Sequence, residues 1–257
     1  MRLYFAALSL SIKRLLAYRG SLWIYVAVQA LTFLTIPFMY AGLLSSSGSI
    51  GDLPSGYVLL LTGVAESITL LYDFLVGNGV EEFASGVASG ELDYWLVYPL
   101  RSQFSQLLLR PGTLSLFCIP IPIWLICSAR IPIRTLGPFS FWLLLAAGVL
   151  ALLARTAYGL LYAALSVRLA RVYSLDHLVK SLFSYSAFPC NIYNGAAKIF
   201  VTVIIPVALV ANVPASILVS GKMPREFLVL LAVCVPLVTI GVVAFSRATR
   251  AYVSGGG

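Results

Sequence analysis

Six long apolar stretches alternate with short polar connectors along the chain. An α-helix rises 1.5 Å per residue, so about 20 apolar residues cross the ~30 Å hydrocarbon core of a bilayer. Each stretch reaches about that length, and the pattern therefore predicts six transmembrane helices, numbered here as spans one to six. They cover residues 20–44, 56–76, 111–129, 138–166, 191–211 and 227–246.

The N-terminal residues 1–19 predict an amphipathic helix that lies on the cytoplasmic surface of the membrane. Leu10 and Leu15 can face lipid while Lys13 and Arg14 reach the headgroups. The basic residues follow the apolar ones, which is the reverse of the order in a secretory signal peptide. The alternative is that this stretch is simply the start of span one.

The chain from residue 182 to residue 221 is too long for a single crossing, because about 40 helical residues would extend ~60 Å. Pro189, Pro206 and Pro214 interrupt it, and each proline removes a helical hydrogen bond. We predict a span that ends near Pro206, followed by an external re-entrant segment over residues 207–221. Irregular backbone is tolerated at that depth only where it is buried in protein or faces water.

Composition agrees with a single membrane domain. Hydrophobic residues make up 60% of the 257 residues and charged residues only 10%, whereas soluble domains carry roughly 25% charged residues. The connectors are too short to form a separate globular domain. The expected fold class is therefore all-α, with one polytopic transmembrane domain over residues 1–257.

The net charge of +8 is explained by membrane topology rather than by a nucleic-acid partner, because the basic residues do not cluster on one soluble face. With both termini in the cytoplasm, eleven lysines and arginines lie inside and four outside, as the positive-inside rule requires. We therefore expect a multi-pass protein of the inner cell membrane. The inside residues are Arg2, Lys13, Arg14, Arg19, Arg101, Arg110, Arg168, Arg171, Lys180, Arg247 and Arg250, and the outside residues are Arg130, Arg134, Lys222 and Arg225.

The longest polar connector, residues 77–110, would lie in the cytoplasm between spans two and three. A short helix is predicted over about residues 80–89, with Gly90 as its stop, since glycine readily adopts the left-handed conformation at helix ends. The connector is rich in charge. Its ionisable side chains include Glu81, Glu82, Glu91, Asp93, Arg101 and Arg110.

Four charged residues fall inside the predicted spans, and such residues are candidates for function. Counting at 1.5 Å per residue places Asp73 and Arg155 ~25 Å from the outside, with Lys198 near the same level. We expect Asp73 to pair with Arg155 or Lys198, either as a contact between helices or as a gate. Glu66 lies near mid-membrane with no charged partner at its depth. It is expected to be protonated, to hydrogen-bond a serine or threonine, or to face water.

Sites for catalysis and for metals are not expected in this chain. The sequence has no G-x-x-x-x-G-K-[ST] phosphate loop, so it does not hydrolyse ATP by that route. His177 is the single histidine and the four cysteines are scattered, which argues against a metal site.

Two stretches resemble the membrane subunits of type-2 ABC exporters. Residues 83–100 read FASGVASGELDYWLVYPL, and residues 186–221 read SAFPCNIYNGAAKIFVTVIIPVALVANVPASILVSG. They are similar to a bacterial subfamily with G-x-L-D-x-x-L-x-x-P-L in the cytoplasmic segment and Y/F-P-x-x-I-Y … P-x-A … P-A in the fifth span. The matching residues are Gly90, Leu92, Asp93, Leu96, Pro99, Leu100, Phe188, Pro189, Ile192, Tyr193, Pro206, Ala208, Pro214 and Ala215.

The resemblance implies a dimer with a second permease copy or a paralogue, and separate cytosolic ATP-binding subunits that hold ATP and Mg. It implies that residues 81–101 form a coupling helix seated in a groove of the ATPase. For each acid of this segment, an ordinary solvated surface is the alternative to a direct contact. The short polar stretch 168–180 departs from the family pattern. The implied coupling residues are Glu81, Glu82, Gly90, Glu91, Asp93, Pro99 and Arg101.

The leading hypothesis is the permease subunit of an ATP-driven exporter, with substrate moving between two permease halves along spans two and five. One alternative is a membrane scaffold or assembly factor that transports nothing. Another is an ion-coupled secondary transporter, a class that often shows inverted repeats, and no repeat is visible here. The apolar spans favour an amphipathic or lipid-like substrate over a strongly charged one.

Overall fold

The computed structural model describes residues 2–17, 19–47, 55–91, 107–131, 137–169 and 173–252. All regular structure in these ranges is helical, as expected of an all-α polytopic membrane protein. The α-helices are α1 (Arg2–Ala17), α2 (Arg19–Ser47), α3 (Ser55–Tyr72), α4 (Asn78–Ser89), α5 (Thr113–Cys118), α6 (Pro120–Ser128), α7 (Pro138–Leu169), α8 (Tyr173–Ser184), α9 (Gly195–Ile199), α10 (Val207–Ser220) and α11 (Arg225–Arg250).

Three helical segments among the described residues are long and apolar enough to cross a membrane: Gly56–Ser89, α7 and α11. The pair Gly195–Ile204 and Val207–Ser220 makes a fourth if it is one span bent by 82°. Predicted spans one and three contain shorter apolar helices, Gly20–Thr35 and Thr113–Ser128. The structure thus supports three to four spans, and six spans remain a prediction.

Small residues bring α7 and α11 into the most extensive helix contact of the described structure. One face of α7 carries alanines at helical spacing, Ala147, Ala151, Ala154 and Ala157, and all four are buried. On α11, a Cβ added at Gly241 would lie 2.9 Å from the carbonyl oxygen of Ala157. Without bulky side chains the two backbones approach closely, which is a common way to pack helices in a membrane.

The helix of span two does not end at the predicted start of the cytoplasmic connector. It continues from α3 into α4 through one π-helical turn, Asp73–Gly77. The short helix predicted over residues 80–89 is found as α4, and it is continuous with the helix of span two. Its predicted stop is found, since Gly90 ends α4 with a φ of 76° in the left-handed region.

The proline-rich region folds as a sharply bent helical pair. A second π-helical turn, Phe200–Ile204, ends just before Pro206, and α10 starts at the next residue. Pro214 lies inside α10 without ending it. This helix is largely buried, and its side chains pack with α3 and α7. A re-entrant path for residues 207–221 stays a prediction, while the bend agrees with one.

Asn212 of α10 holds the preceding segment in place. Its side-chain amide donates to the carbonyl of Phe188 at 3.0 Å, and its oxygen accepts from the backbone N–H of Cys190 at 3.1 Å. Pro189, one of the residues of the resemblance, lies between these two contacts. Tyr193 follows the short 3₁₀ turn Cys190–Ile192 and is partly buried.

Candidate functional site

A polar cavity of about 760 Å³ lies within this single chain. Its walls come from α1 and α2 on one side and from α3, α4, α5, α7 and α8 on the other. Along the continuous helix it extends from Glu66 to Glu82, a distance of ~24 Å at 1.5 Å per residue. The cavity is therefore nearly as long as the ~30 Å hydrocarbon core of a bilayer is thick.

Hydroxyl side chains line part of this cavity without breaking the helices that carry them. Thr32 of α2 donates to the carbonyl of Val28 at 2.9 Å, and Thr69 of α3 donates to the carbonyl of Ala65 at 3.0 Å. Each threonine thus satisfies its donor on its own helix. The hydroxyl oxygens can still accept a hydrogen bond from a guest in the cavity.

Arg155 of α7 is the most deeply buried charged side chain of the described residues, with 6% of its surface exposed. Its guanidinium carbon lies 4.8 Å from the ring centroid of Tyr72 and 4.5 Å from that of Phe183. These distances allow cation–π attraction to both rings. The Nε atom is buried and has no hydrogen-bond partner in the part of the chain that the structure describes.

Gly159 explains how Tyr72 reaches Arg155. Gly159 and Arg155 are one helical turn apart on α7. A Cβ at Gly159 would overlap the hydroxyl oxygen of Tyr72. Only glycine leaves room for the tyrosine ring to lie along α7. The absence of a side chain at this position therefore helps to form the aromatic contact of the arginine.

Two acidic residues complete the deep end of the cavity. Glu66 of α3 and Asp73 of the π-helical turn are partly buried and line it together with Arg155. Arg155 and Asp73 both lie within electrostatic range of Glu66. Among the described residues Glu66 forms no ion pair, but it shares the cavity with both Asp73 and Arg155. Counting residues gives a depth only for upright helices that start at one level, whereas packing decides which side chains meet.

Lys198 does not join this group. It is exposed on α9 and is not part of the cavity wall. Of the two cationic partners predicted for Asp73, only Arg155 shares the cavity with it. The helical pair bends at Pro206, where the proline positions predicted the end of the span. Whether any of these charges acts as a gate stays a prediction.

The cytoplasmic acids are paired within the chain. Glu81 forms an ion pair with Lys180 of α8, and Glu82 forms one with Arg110. Asn78 supports the second pair by donating to Glu82 Oε1 at 3.0 Å and to the Arg110 carbonyl at 3.2 Å. Both carboxylates remain partly exposed, so the pairs are surface contacts of modest strength.

The chain that returns from the cytoplasmic connector packs directly onto the π-helical turn. The backbone N–H of Gly112 donates to the Phe74 carbonyl at 3.1 Å. A Cβ at Gly79 would overlap the carbonyl of Leu107, and one at Gly112 would overlap the carbonyl of Asp73. Sequence reasoning missed this contact, for which the two glycines were the available signal.

Beyond Gly90, the structure describes only residue 91 of the predicted coupling segment 81–101. Glu91 follows Gly90 and is exposed. Leu92, Asp93, Pro99 and Arg101 lie outside the described residues, so their placement stays a prediction. The ion pairs of Glu81 and Glu82 do not include Glu91, which leaves its carboxylate as the clearest surface charge for a test of coupling.

Comparison with known proteins gives one match. Residues 26–256 match a family model described as "ABC-2 family transporter protein". The matched region includes the continuous α3–α4 helix, the bent helical pair and every residue of the deep charge group. Neither a curated protein nor a solved structure matches the chain.

Proposed function

The chain belongs to the ABC-2 family of transporter proteins, and from this we propose that it is the permease subunit of an ATP-driven ABC exporter. The family match over residues 26–256 is the observation that carries the proposal. The all-helical structure with long apolar helices supports a membrane component of a transporter. Because the sequence has no phosphate loop, ATP and Mg would be bound by a separate cytosolic ATPase.

The continuous helix Gly56–Ser89 is the element that we propose to transmit movement. An ATPase that closes on the segment 77–110 would push on α4, and α4 passes through the π-helical turn into α3. The pairs of Glu81 and Glu82 tie α4 to α8 and to the chain before α5. Differential binding of the ATPase in its two states would then bias the conformation of the permease.

The assembly that we propose contains two permease halves, either two copies of this chain or this chain and a paralogue. It would lie in the inner cell membrane with both termini in the cytoplasm. The distribution of lysine and arginine supports this orientation. Substrate would pass between the halves along the surfaces of spans two and five. Membrane lipids would contact the exposed apolar faces of α7 and α11.

An affinity pull-down from native membranes in mild detergent tests the proposal. We expect a soluble ATPase to co-purify with the wild type, and Glu91→Lys to reduce its recovery. Glu226→Lys is the matched control, because Glu226 is an exposed acid at the start of α11 and is predicted to face outside. Repeated recovery of no ATPase with the wild type would instead favour a membrane scaffold or a secondary transporter.

A further inference from the structure

We propose that the cavity within the chain is a binding site for a zwitterionic ligand, whose anionic group contacts Arg155 and whose ammonium group contacts Glu66. Such a site goes beyond the permease function, since it places a ligand inside one subunit rather than between two permease halves. Binding there also does not require the ATPase. Three features support the site: the surroundings of the arginine, the neighbouring acids and the extent of the cavity.

The guanidinium of Arg155 lies against two aromatic rings, and its N–H edge is the part that recognises an anionic group. The rings of Tyr72 and Phe183 lie close to the guanidinium, at 4.8 and 4.5 Å. The N–H groups of a guanidinium lie in its plane, and they match the two oxygens of a carboxylate or a phosphate. The buried Nε has no partner among the described residues. The outer N–H groups, and not the buried Nε, are therefore the donors that a ligand in the cavity would meet.

The neighbouring acids exclude a ligand that is only an anion. Glu66 lies within electrostatic range of Arg155, and Asp73 adds further negative potential. A bare phosphate or carboxylate near Arg155 would be repelled by Asp73, and by Glu66 in its ionised form, at low local dielectric. A bare cation near Glu66 would in turn be repelled by Arg155. A ligand that carries both charges satisfies each group, and this is how a site rejects the wrong charge type.

Charges of both signs also line the far end of the cavity, among them Arg14, Lys180, Glu81 and Glu82. Glu81 and Glu82 also line the cavity, but each is neutralised by a cation of the same chain. The proposal assigns the two charges of the ligand to the deep group of Glu66, Asp73 and Arg155, which line the cavity together. Ser11 and Arg14 of α1 form part of the wall, so the cavity extends to the helix that is predicted to lie among lipid headgroups.

The volume of about 760 Å³ lies within the range of ~300–1,000 Å³ that is usual for small-molecule sites. It suits a phosphate and an amine joined by a short linker, with room for part of an attached chain. Two sources share this chemistry: the headgroup of a zwitterionic phospholipid and a water-soluble phosphoamine. Their common feature is the pair of opposite charges, and the experiment separates the two.

Native mass spectrometry of the purified full-length protein tests this proposal. The protein in mild detergent is offered equal amounts of phosphatidylethanolamine and phosphatidylglycerol, which differ in the ammonium group. We expect the wild type to retain phosphatidylethanolamine about tenfold better, since removing a charge-assisted hydrogen bond from a low-dielectric site costs about that much or more. Equal retention, or a preference for phosphatidylglycerol, would overturn the proposal.

Single substitutions test which side chains contact the charged groups of the lipid. Arg155→Gln is expected to weaken retention of phosphatidylethanolamine about tenfold, whereas Glu66→Gln is expected to remove the preference between the two lipids. Arg168→Gln is the matched control, because Arg168 is an exposed arginine of the same helix. Equal effects of Arg155→Gln and Arg168→Gln would overturn the assignment. If Arg155→Gln does not fold, the wild-type preference and the Glu66→Gln result decide the question.

A soluble competitor distinguishes the two sources. Displacement of the lipid by glycerophosphoethanolamine, but not by glycerophosphate, means that the charged head is sufficient and that a water-soluble ligand can occupy the site. No displacement in a wild type that still prefers phosphatidylethanolamine means that the lipid itself is the ligand. Because no ATPase is present, failure of this test leaves the pull-down result unaffected, and the two proposals fail separately.

Discussion

The charged side chains at the two ends of the cavity differ in how deeply they are buried and in whether they have a partner. At the cytoplasmic end, Glu81 and Glu82 are partly exposed and each has a cationic partner in direct contact. At the deep end, Arg155 is buried against two aromatic rings, and its Nε has no partner among the described residues. Exposed charges stay hydrated and cost little free energy, and the ion pairs that they form contribute modestly to helix contacts. Burying a charge costs desolvation free energy, and a charged residue retained in a membrane helix is therefore a candidate for function.

Replacement of the deep arginine should have the largest effect. Arg155→Met would remove two desolvated cation–π contacts, each worth about 2 kcal/mol, and relief of the unpaired buried charge would offset part of this, for an expected net loss of about 3 kcal/mol in the free energy of unfolding. Arg110→Met at the cytoplasmic end should cost at most about 1 kcal/mol. Thermal unfolding in detergent compares the two. Equal losses would show that burial does not distinguish the two ends.

The packing that surrounds Arg155 should come second. Gly159→Ala would place a Cβ against the Tyr72 hydroxyl, with an expected cost of ~1–3 kcal/mol from overpacking. Gly148→Ala on the same helix has no heavy atom within 4 Å of the new Cβ, and it should be neutral or slightly stabilising. If both variants unfold at the same temperature, the proposed fit of Tyr72 along α7 is wrong.

The left-handed stop of α4 should have a smaller effect. Gly90→Ala would force a side chain into a φ of 76°, with an expected cost of about 1 kcal/mol. The change should be local, with faster hydrogen exchange near the end of α4 than in the deep helices. Gly20→Ala serves as a comparison, because Gly20 has open space around it and no positive φ. Unchanged exchange at the end of α4 would argue against this role for Gly90.

The cytoplasmic ion pairs should have the smallest effect. A double-mutant cycle of Glu82→Gln and Arg110→Gln is expected to give a coupling energy of ~0.2–1 kcal/mol. The coupling should decrease as salt is added, because exposed charges are screened. A coupling above about 2 kcal/mol would mean that this pair is shielded from water, and the contrast between the two ends would no longer hold.

The sequence predicted the architecture better than the contacts. Long apolar stretches and a low content of charge predict membrane helices, and the left-handed preference of glycine predicts the stop at Gly90. The approach of Arg155 to Glu66 was missed because residue counting carries no information on helix tilt or rotation. The pair of Glu81 and Lys180 joins residues far apart in the chain, and pairs of this kind depend on the tertiary fold.

The sequence pattern also did not predict the π-helical turn Asp73–Gly77. Its residues are compatible with an ordinary α-helix, and the polar residues after it are typical of a separate cytoplasmic element. The turn is held by a contact from the returning chain, in which Gly112 donates to the Phe74 carbonyl. A contact of this type gives no periodic signal, so only the folded structure shows that the helix α3 continues into α4.

Photo-cross-linking from position 91 is the most direct test of the central claim that this chain is a permease driven by a separate ATPase. A cross-linkable amino acid replaces Glu91 in one sample and Glu226 in another, and the labelled partners from native membranes are identified. The account predicts a soluble ATPase cross-linked from position 91 and not from position 226. No ATPase at position 91, or equal labelling from both positions, would contradict it.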